Sequence, residues 1–380
     1  MTPGPQPFSL DVVISWVDQT VSRLPPESVS VSSICRRVLA EPIYATHPIP
    51  VADRALLDGF AVDASATIGA GSYNPLFLPL RRISAGDAIP PGTDAVIPLD
   101  LGQSHPSGVM ECIEAVAPSQ NVEVRGCVAA PGALLASAGT VLLPVHIAIL
   151  ISAGLASVMV IRQPLVRIVL TSDTSATDSD GPMCRALVER DGGLVANILA
   201  AGRTRQAIGG ALETEGAEIV LVIGGTGPGA CDHAAAALAE VGNLAIHGIT
   251  LRPGETAGLG HTPNAAVILL PGSPAACFFA YEMLAGRVIR RLGGRDPAPP
   301  YRSRVMCAAR KIVSAIGMTE ICPVRFTTSD AVEPLPSFSE IGLMAVVAAD
   351  GFVIVPEESE GYPQGAPVTV YLYEGSCIGG

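Results

Sequence analysis

The segment EIVLVIGGTGPGACDHAAAALAEVG, residues 218–242, runs from a continuous apolar stretch through a glycine-rich turn into a segment of helical composition. An uninterrupted Ile/Val/Leu run bounded by turn residues suits a strand covered on both faces, so a parallel sheet inside an α/β layer is predicted. Gly224, Gly225, Gly227 and Gly229, with Thr226 among them, let backbone N–H groups approach an anion, and the N-terminus of the following helix adds a favourable partial charge. A phosphate fits such a turn, and bulk at Gly227 is expected to intrude on it. A tight strand-to-helix connection with Asp232 capping the first helical turn fits equally well, and the segment alone does not separate the two. It is not a P-loop, because no Gly-Lys-Ser/Thr follows, and it lacks the spacing of the dinucleotide fingerprint.

The same rhythm extends outward in both directions. VRIVLTSD at 166–173, LVANIL at 194–199 and AAVILL at 265–270 are further apolar runs, and helices are expected at 182–192, 204–215, 231–241 and 274–292. This alternation predicts a doubly wound α/β domain over residues 164–296. A second turn, LLPGSPAACFFAYEML, places Pro271, Gly272 and Ser273 between strand and helix, with Pro274 at a first helical position. Ordinary N-capping by Ser273 is the less favoured alternative for that turn. Two loops at one sheet edge form a crevice outside the carboxyl ends of the strands, where open α/β sheets bind ligands.

Outside this domain the texture changes. Residues 8–40 show helical spacing broken by Pro25 and Pro26, read as part of an elongated helical domain formed by 1–48 and 131–163. Short β-prone runs at 95–99 and 109–116 indicate an inserted β-rich domain at 49–130. After the linker RDPAPPY, strand-like runs at 342–348, 352–356 and 367–373, with an Asp350-Gly351 hairpin turn, indicate a C-terminal β domain over 297–380. The charge-free stretch 141–161 approaches a membrane-spanning length, but Pro144, His146 and Gly154 interrupt it, so a short buried helix turning into a strand is expected and no membrane is predicted.

The formal net charge of -12 repels phosphodiester backbones and argues against nucleic acid as a partner. Nine cysteines without a CxxC pair suit dispersed, reduced, partly buried thiols and neither a disulfide framework nor structural zinc. Cys231 lies near a helix N-terminus, which would lower a thiol pKa, but a buried, inert thiol is the favoured reading. No basic region with an apolar signal core opens the chain, which points to a cytoplasmic protein. GxSxG and HExxH are both absent.

Taken together, ADRALLDGFAV (52–62), GDAIPPGTDAVI (86–97), RGCVAAPGALLASAGTVL (125–142), VLTSD (169–173), GGTGPGACD (224–232), LRPGET (251–256), PGSPA (271–275) and AADGFVIVPEESEGYPQGAPVTVYL (348–372) resemble MoeA/gephyrin proteins, in register along nearly the whole chain. The resemblance implies a multidomain α/β protein: an elongated domain, an inserted β domain, a molybdopterin-binding α/β domain and a C-terminal β domain, as a homodimer with a possible molybdoenzyme client. It implies insertion of molybdenum into molybdopterin, with an adenylylated intermediate cleaved in the presence of molybdate and Mg2+ or another divalent cation. By the same resemblance Asp58, Asp173 and Asp232 are catalytic candidates, Asp58 and Asp232 also as metal ligands. Asp178, Ser179, Asp180, the glycine loop, Arg252 and Pro271 to Pro274 are pterin- and phosphate-binding candidates. Ordinary surface or capping roles stay open for the three acids.

The chain also departs from the family pattern. Ala85 stands where the family has a threonine, Cys127 and Val128 replace Glu-Asp, Thr174 replaces a glutamate, and Glu255 replaces a lysine. Loss of three acids and one cation bears on metal-assisted insertion, because a divalent metal bridging phosphates is held by carboxylates. A paralogue that binds or delivers the pterin without inserting metal is therefore the alternative.

Overall fold

The computed structural model describes residues 7–172 and 178–375. The chain divides into two compact units, residues 26–160 and a second made of the residues up to 25 together with those from 161 onward. In the first unit, Gly59–Val62 pairs antiparallel with Arg82–Ile83 and Ala95–Pro98, and Leu76–Pro79 pairs with Val109–Cys112. A separate core of Val31, Ile34, Leu39, Leu142, Leu150 and Val160 joins the segments on either side of this β-rich part. The helix Pro144–Ser152 buries only Leu150 and exposes Val145 and Ile151, so the expectation of a buried helix there is corrected.

The second unit begins with α1 (Leu10–Thr20), started by the Ser9 hydroxyl, which accepts from Val12 N–H at 3.4 Å. Its apolar stripe, Leu10, Val13 and Val17, packs into the core of the α/β domain. The 3.6-residue period was legible in the sequence, and the helix falls in the same compact unit as the α/β domain.

The α/β domain consists of β1 (Leu165–Leu170), α2 (Asp180–Arg190), β2 (Leu194–Ala200), α3 (Arg205–Glu213), β3 (Ile219–Ile223), α4 (Ala234–Val241), β4 (Asn243–His247), β5 (Gly258–His261), β6 (Ala266–Leu270), α5 (Pro274–Ala280) and α6 (Gly286–Leu292). The sheet order is β2-β1-β3-β6-β5-β4, with β2, β1, β3 and β6 parallel and β5 and β4 antiparallel at the far edge. Alternate residues of the central strands face opposite layers. Ile168, Leu221 and Ile268 meet α1, α2, α5 and α6, whereas Val169, Val222 and Leu269 meet α3 and α4. This two-sided burial is why the strands read as unbroken apolar runs.

A π-turn, Tyr281–Ala285, links α5 to α6 and buries Tyr281 and Glu282 completely. The C-terminal part is a small closed sheet of β7 (Arg302–Ala308), β8 (Thr319–Thr328), β9 (Ala331–Pro334), β10 (Gly351–Val355) and β11 (Pro367–Leu372), in the cyclic order β8-β9-β7-β11-β10. The run at 342–348, expected as a strand, is not one. Short helices occupy Phe338–Ile341 and Met344–Val347, the first begun by a capping box in which Ser337 N–H donates to Glu340 at 2.7 Å. Among the described residues no helix is long and apolar enough to cross a membrane.

Candidate functional site

The carboxyl ends of β1, β3 and β6 open onto a cavity of about 290 Å³. Its floor is Leu170 and Ile223, and its wall is the turn after β3. That turn holds Gly224 at φ +88° and Gly225 at φ +62°, in the left-handed region that favours glycine. A methyl built on Gly224 would stand 2.6 Å from Thr171 Oγ1, and one on Gly272 would stand 3.2 Å from Gly224 Cα. The two loops therefore meet backbone to backbone. Gly224 N–H donates to Leu270 O at 2.9 Å, and the Thr171 hydroxyl donates to Ile223 O at 3.1 Å, which ties both loops to the strand ends.

Among the described residues, three carboxylates line this cavity: Asp178, Asp180 and Asp232. Asp178 accepts from Gly181 N–H at 2.6 Å, and Asp232 accepts from Gly229 N–H at 3.0 Å. Burial, with the nearby charge of Asp178 as the second cause, pushes the Asp180 carboxyl up to about 6 from its ordinary 3.8. The charged form is therefore penalised in the folded state. The penalty is absent below about pH 4, grows as pH rises through 6 and is complete above it. Asp180→Asn is accordingly expected to be more stable than the parent at pH 7.5 by about 1–2 kcal/mol, with the difference gone at pH 4. Denaturant melts at both pH values check this, and parallel profiles for the two proteins would refute it.

The structure thus brings Asp178, Asp180, Gly224, Gly225, Asp232 and Gly272 together around one cavity. Other predicted residues lie elsewhere. Thr226 is buried, with its hydroxyl 2.9 Å from that of Thr256 and its carbonyl 2.9 Å from His247 Nε2. Gly227 and Gly229 face Asp232, whose Oδ2 a methyl would meet at 2.7 and 2.8 Å, and neither has a positive φ. Bulk at Gly227 would first displace that carboxylate. Ser179 is exposed and Pro271 buried, and Asp173 and Thr174 lie outside the described residues.

Cys231, read as buried, is exposed and lines the cavity. Thr171, Ser172 and Arg203 also line the cavity and were not among the site residues expected from the sequence. Arg203 carried no motif signal. Behind the cavity, the buried thiols of Cys184 and Cys277 lie 3.6 Å apart.

Arg252, Ser273 and Glu255 line a second, larger cavity of about 720 Å³, with Lys311, Glu320, Ile321 and Phe338. Gly272 lines the smaller cavity and its chain neighbour Ser273 the larger one. Pro274 occupies the first turn of α5, and Ser273 makes no capping hydrogen bond. Arg252 is paired with Glu255 at 3.0 Å, so the charge reversal at 255 neutralises the neighbouring guanidinium.

Asp58 lies in the other unit, exposed, with its carboxylate accepting from Ala85 N–H at 2.8 Å. The retained acid thus touches the position where the family's threonine is lost. Cys127 and Val128 are exposed in a turn of the same unit.

Known family profiles match three consecutive blocks of the chain: the MoeA N-terminal region (domain I and II) over residues 8–154, a "Probable molybdopterin binding domain" over 160–291, and the MoeA C-terminal region (domain IV) over 306–373. A protein named molybdopterin molybdenumtransferase from Staphylococcus aureus is 26% identical, with 97% of this chain and 96% of the relative aligned. One of the same name from Bacillus subtilis is 25% identical, with 96% and 94% aligned. The crystal structure of a molybdopterin biosynthesis MoeA protein from Pyrococcus horikoshii superposes with a TM-score of 0.71 over 97% of this chain and 100% of that one, at 24% identity, and so shares the fold.

Proposed function

The chain belongs to the MoeA family, whose N-terminal, molybdopterin-domain and C-terminal regions it carries in order, and from that premise we propose that it inserts molybdate into molybdopterin during molybdenum cofactor biosynthesis, acting on the adenylylated form with release of AMP. The observation that carries the reading is the crevice in the middle region, where two glycine turns and three carboxylates converge at the carboxyl ends of parallel strands. Turns of this kind offer backbone donors to a phosphate.

Magnesium is characteristically held by one or two carboxylates together with phosphate oxygens. Asp178 and Asp180, neighbours on one wall, fit that demand, with Asp232 also lining the cavity. No group of three or more His, Cys, Asp or Glu side chains among the described residues forms a ready cation cage. Bound there, the ion would neutralise phosphate charge. Asp58 and Asp173 are proposed as additional acids of the reaction.

The test is AMP release from adenylylated molybdopterin with and without molybdate. Release that depends on molybdate is expected, and binding without release would overturn insertion. One observation favours the second reading, a protein that binds or delivers the pterin: the Arg252–Glu255 ion pair removes a free cation from the larger cavity.

A homodimer serving a cytoplasmic molybdoenzyme client is part of the proposal. Helix α1 buries its own apolar face and gives no reason for pairing, but Leu134, Val141, Leu143, Val145 and Ile151 are exposed apolar residues of the first unit. Light scattering is expected to give twice the chain mass at micromolar concentration, and a monomer mass would refute the dimer.

A further inference from the structure

Among the described residues lining the smaller cavity, Arg203 is the single cation, against three carboxylates. Its position is built by the chain on either side. Ala201 N–H donates to Leu170 O and Gly202 N–H to Ser172 O, both at 3.0 Å, which straps the loop after β2 to the end of β1. Gly202, at φ +84°, turns the chain there, and Thr204 then caps α3 by accepting from Ala207 N–H at 3.2 Å. The backbone of Arg203 is thus fixed on both sides at the mouth of the crevice, while its guanidinium makes no ion pair or hydrogen bond with any described residue.

The contrast with its neighbours is sharp. Arg205, two residues on, is paired with Glu240 at 2.7 Å, and Arg252, in the adjoining cavity, with Glu255. A guanidinium with no partner among the described residues, lining the crevice, offers two parallel N–H donors to a phosphate, a geometry that a point charge does not reproduce.

We infer that Arg203 is the phosphate-binding side chain of this pocket, gripping the terminal phosphate of the ligand while the Gly224–Gly225 and Gly272 backbones enclose it. The ligand class is a phosphate monoester. Only its pterin identity rests on the function proposed above. In the present chain, whose Glu255 cancels Arg252, Arg203 supplies the positive charge that phosphate recognition requires, and it does so from a loop that no family motif marks.

The experiment titrates the intact protein with inorganic phosphate, followed by phosphorus NMR line broadening, and separately with molybdopterin, both in the presence of EDTA so that no divalent cation supplies the charge. Arg203→Gln is expected to weaken both by about ten- to hundredfold, Arg203→Lys to recover part of the loss, and Arg205→Gln to change neither. The salt dependence of phosphate binding should also fall in Arg203→Gln. Affinity of Arg203→Gln within twofold of the parent, or absence of phosphate binding by the parent, would overturn the inference. If phosphate binds through Arg203 but molybdopterin does not bind, the inference stands and the pterin reading falls. If molybdopterin binds equally to parent and Arg203→Gln, the reverse holds. Arg203 is exposed, so loss of folding does not confound the variant.

Discussion

Gly224→Val is expected to lower affinity for molybdopterin by about a hundredfold, since a displacement near 1 Å in a positioning loop has effects of that order. Valine at φ +88° would be strained whatever the surrounding space, and its Cβ would also stand 2.6 Å from Thr171 Oγ1. That hydroxyl is bonded to Ile223 O and cannot retreat without releasing the end of β3. A stability loss of about 2–4 kcal/mol should accompany the binding defect. Gly227→Val is the useful comparison. With no positive φ and only the Asp232 carboxylate in its way, it should bind better than Gly224→Val. Calorimetric titration of the two variants decides the matter, and equal affinities would remove Gly224 from its assigned role.

Arg190→Ala is expected to produce the largest loss of stability, about 3–5 kcal/mol, because it leaves a buried carboxylate without its counter-charge. Glu282, fully buried on the π-turn, accepts from Arg190 at 2.7 and 3.0 Å and from the Tyr301 hydroxyl at 2.7 Å. Arg190 also pairs with Asp191, which Arg290 and Tyr281 approach in turn. Burial first, then the charge of Glu282, raises the Tyr301 phenol above its usual range, so it stays a hydrogen-bond donor at all physiological pH values. Replacing Arg190 and Glu282 together by Met and Leu should cost less than Arg190→Ala alone, since no orphaned charge remains. The melting temperature should drop by roughly 10 °C for Arg190→Ala. A drop no larger than for the double variant would show that the pair is not stabilised as described.

The sequence exposed those parts of the fold in which a local pattern and its burial coincide. β1, β3 and β6 are covered on both faces, so their apolar runs and the glycine turns that follow could be read directly, and with them the crevice. The partner of an apolar stripe was harder to read. Leu10, Val13 and Val17 announce a buried helical face but not the layer it packs against.

The antiparallel edge was also hidden. β5 is the sequence GLGH, whose glycines carry no alternating side-chain signal, and Gly260 is glycine because a methyl there would meet Asn243 O at 2.1 Å. The run at 342–348 was ambiguous by period, yet the Ser337–Glu340 capping box two turns earlier already argued for helix. Within the site, motif residues pointed to the glycine turn and the acids. Arg203 arrives through backbone bonds between Gly202 and Ser172, a tertiary event with no signature in linear order.

Lys311 is the one lysine in a chain whose other basic side chains, histidines apart, are all arginine, and it lines the larger cavity beside Arg252 and Glu255. Exposed and without an ion pair among the described residues, it is open to reagents from solvent. Amine-selective chemistry, which spares guanidinium groups, therefore has a single internal target in this protein. A fluorophore or crosslinker carried on an activated ester would arrive at that chamber by composition alone, giving the molecule a built-in attachment point where other proteins need engineered cysteines.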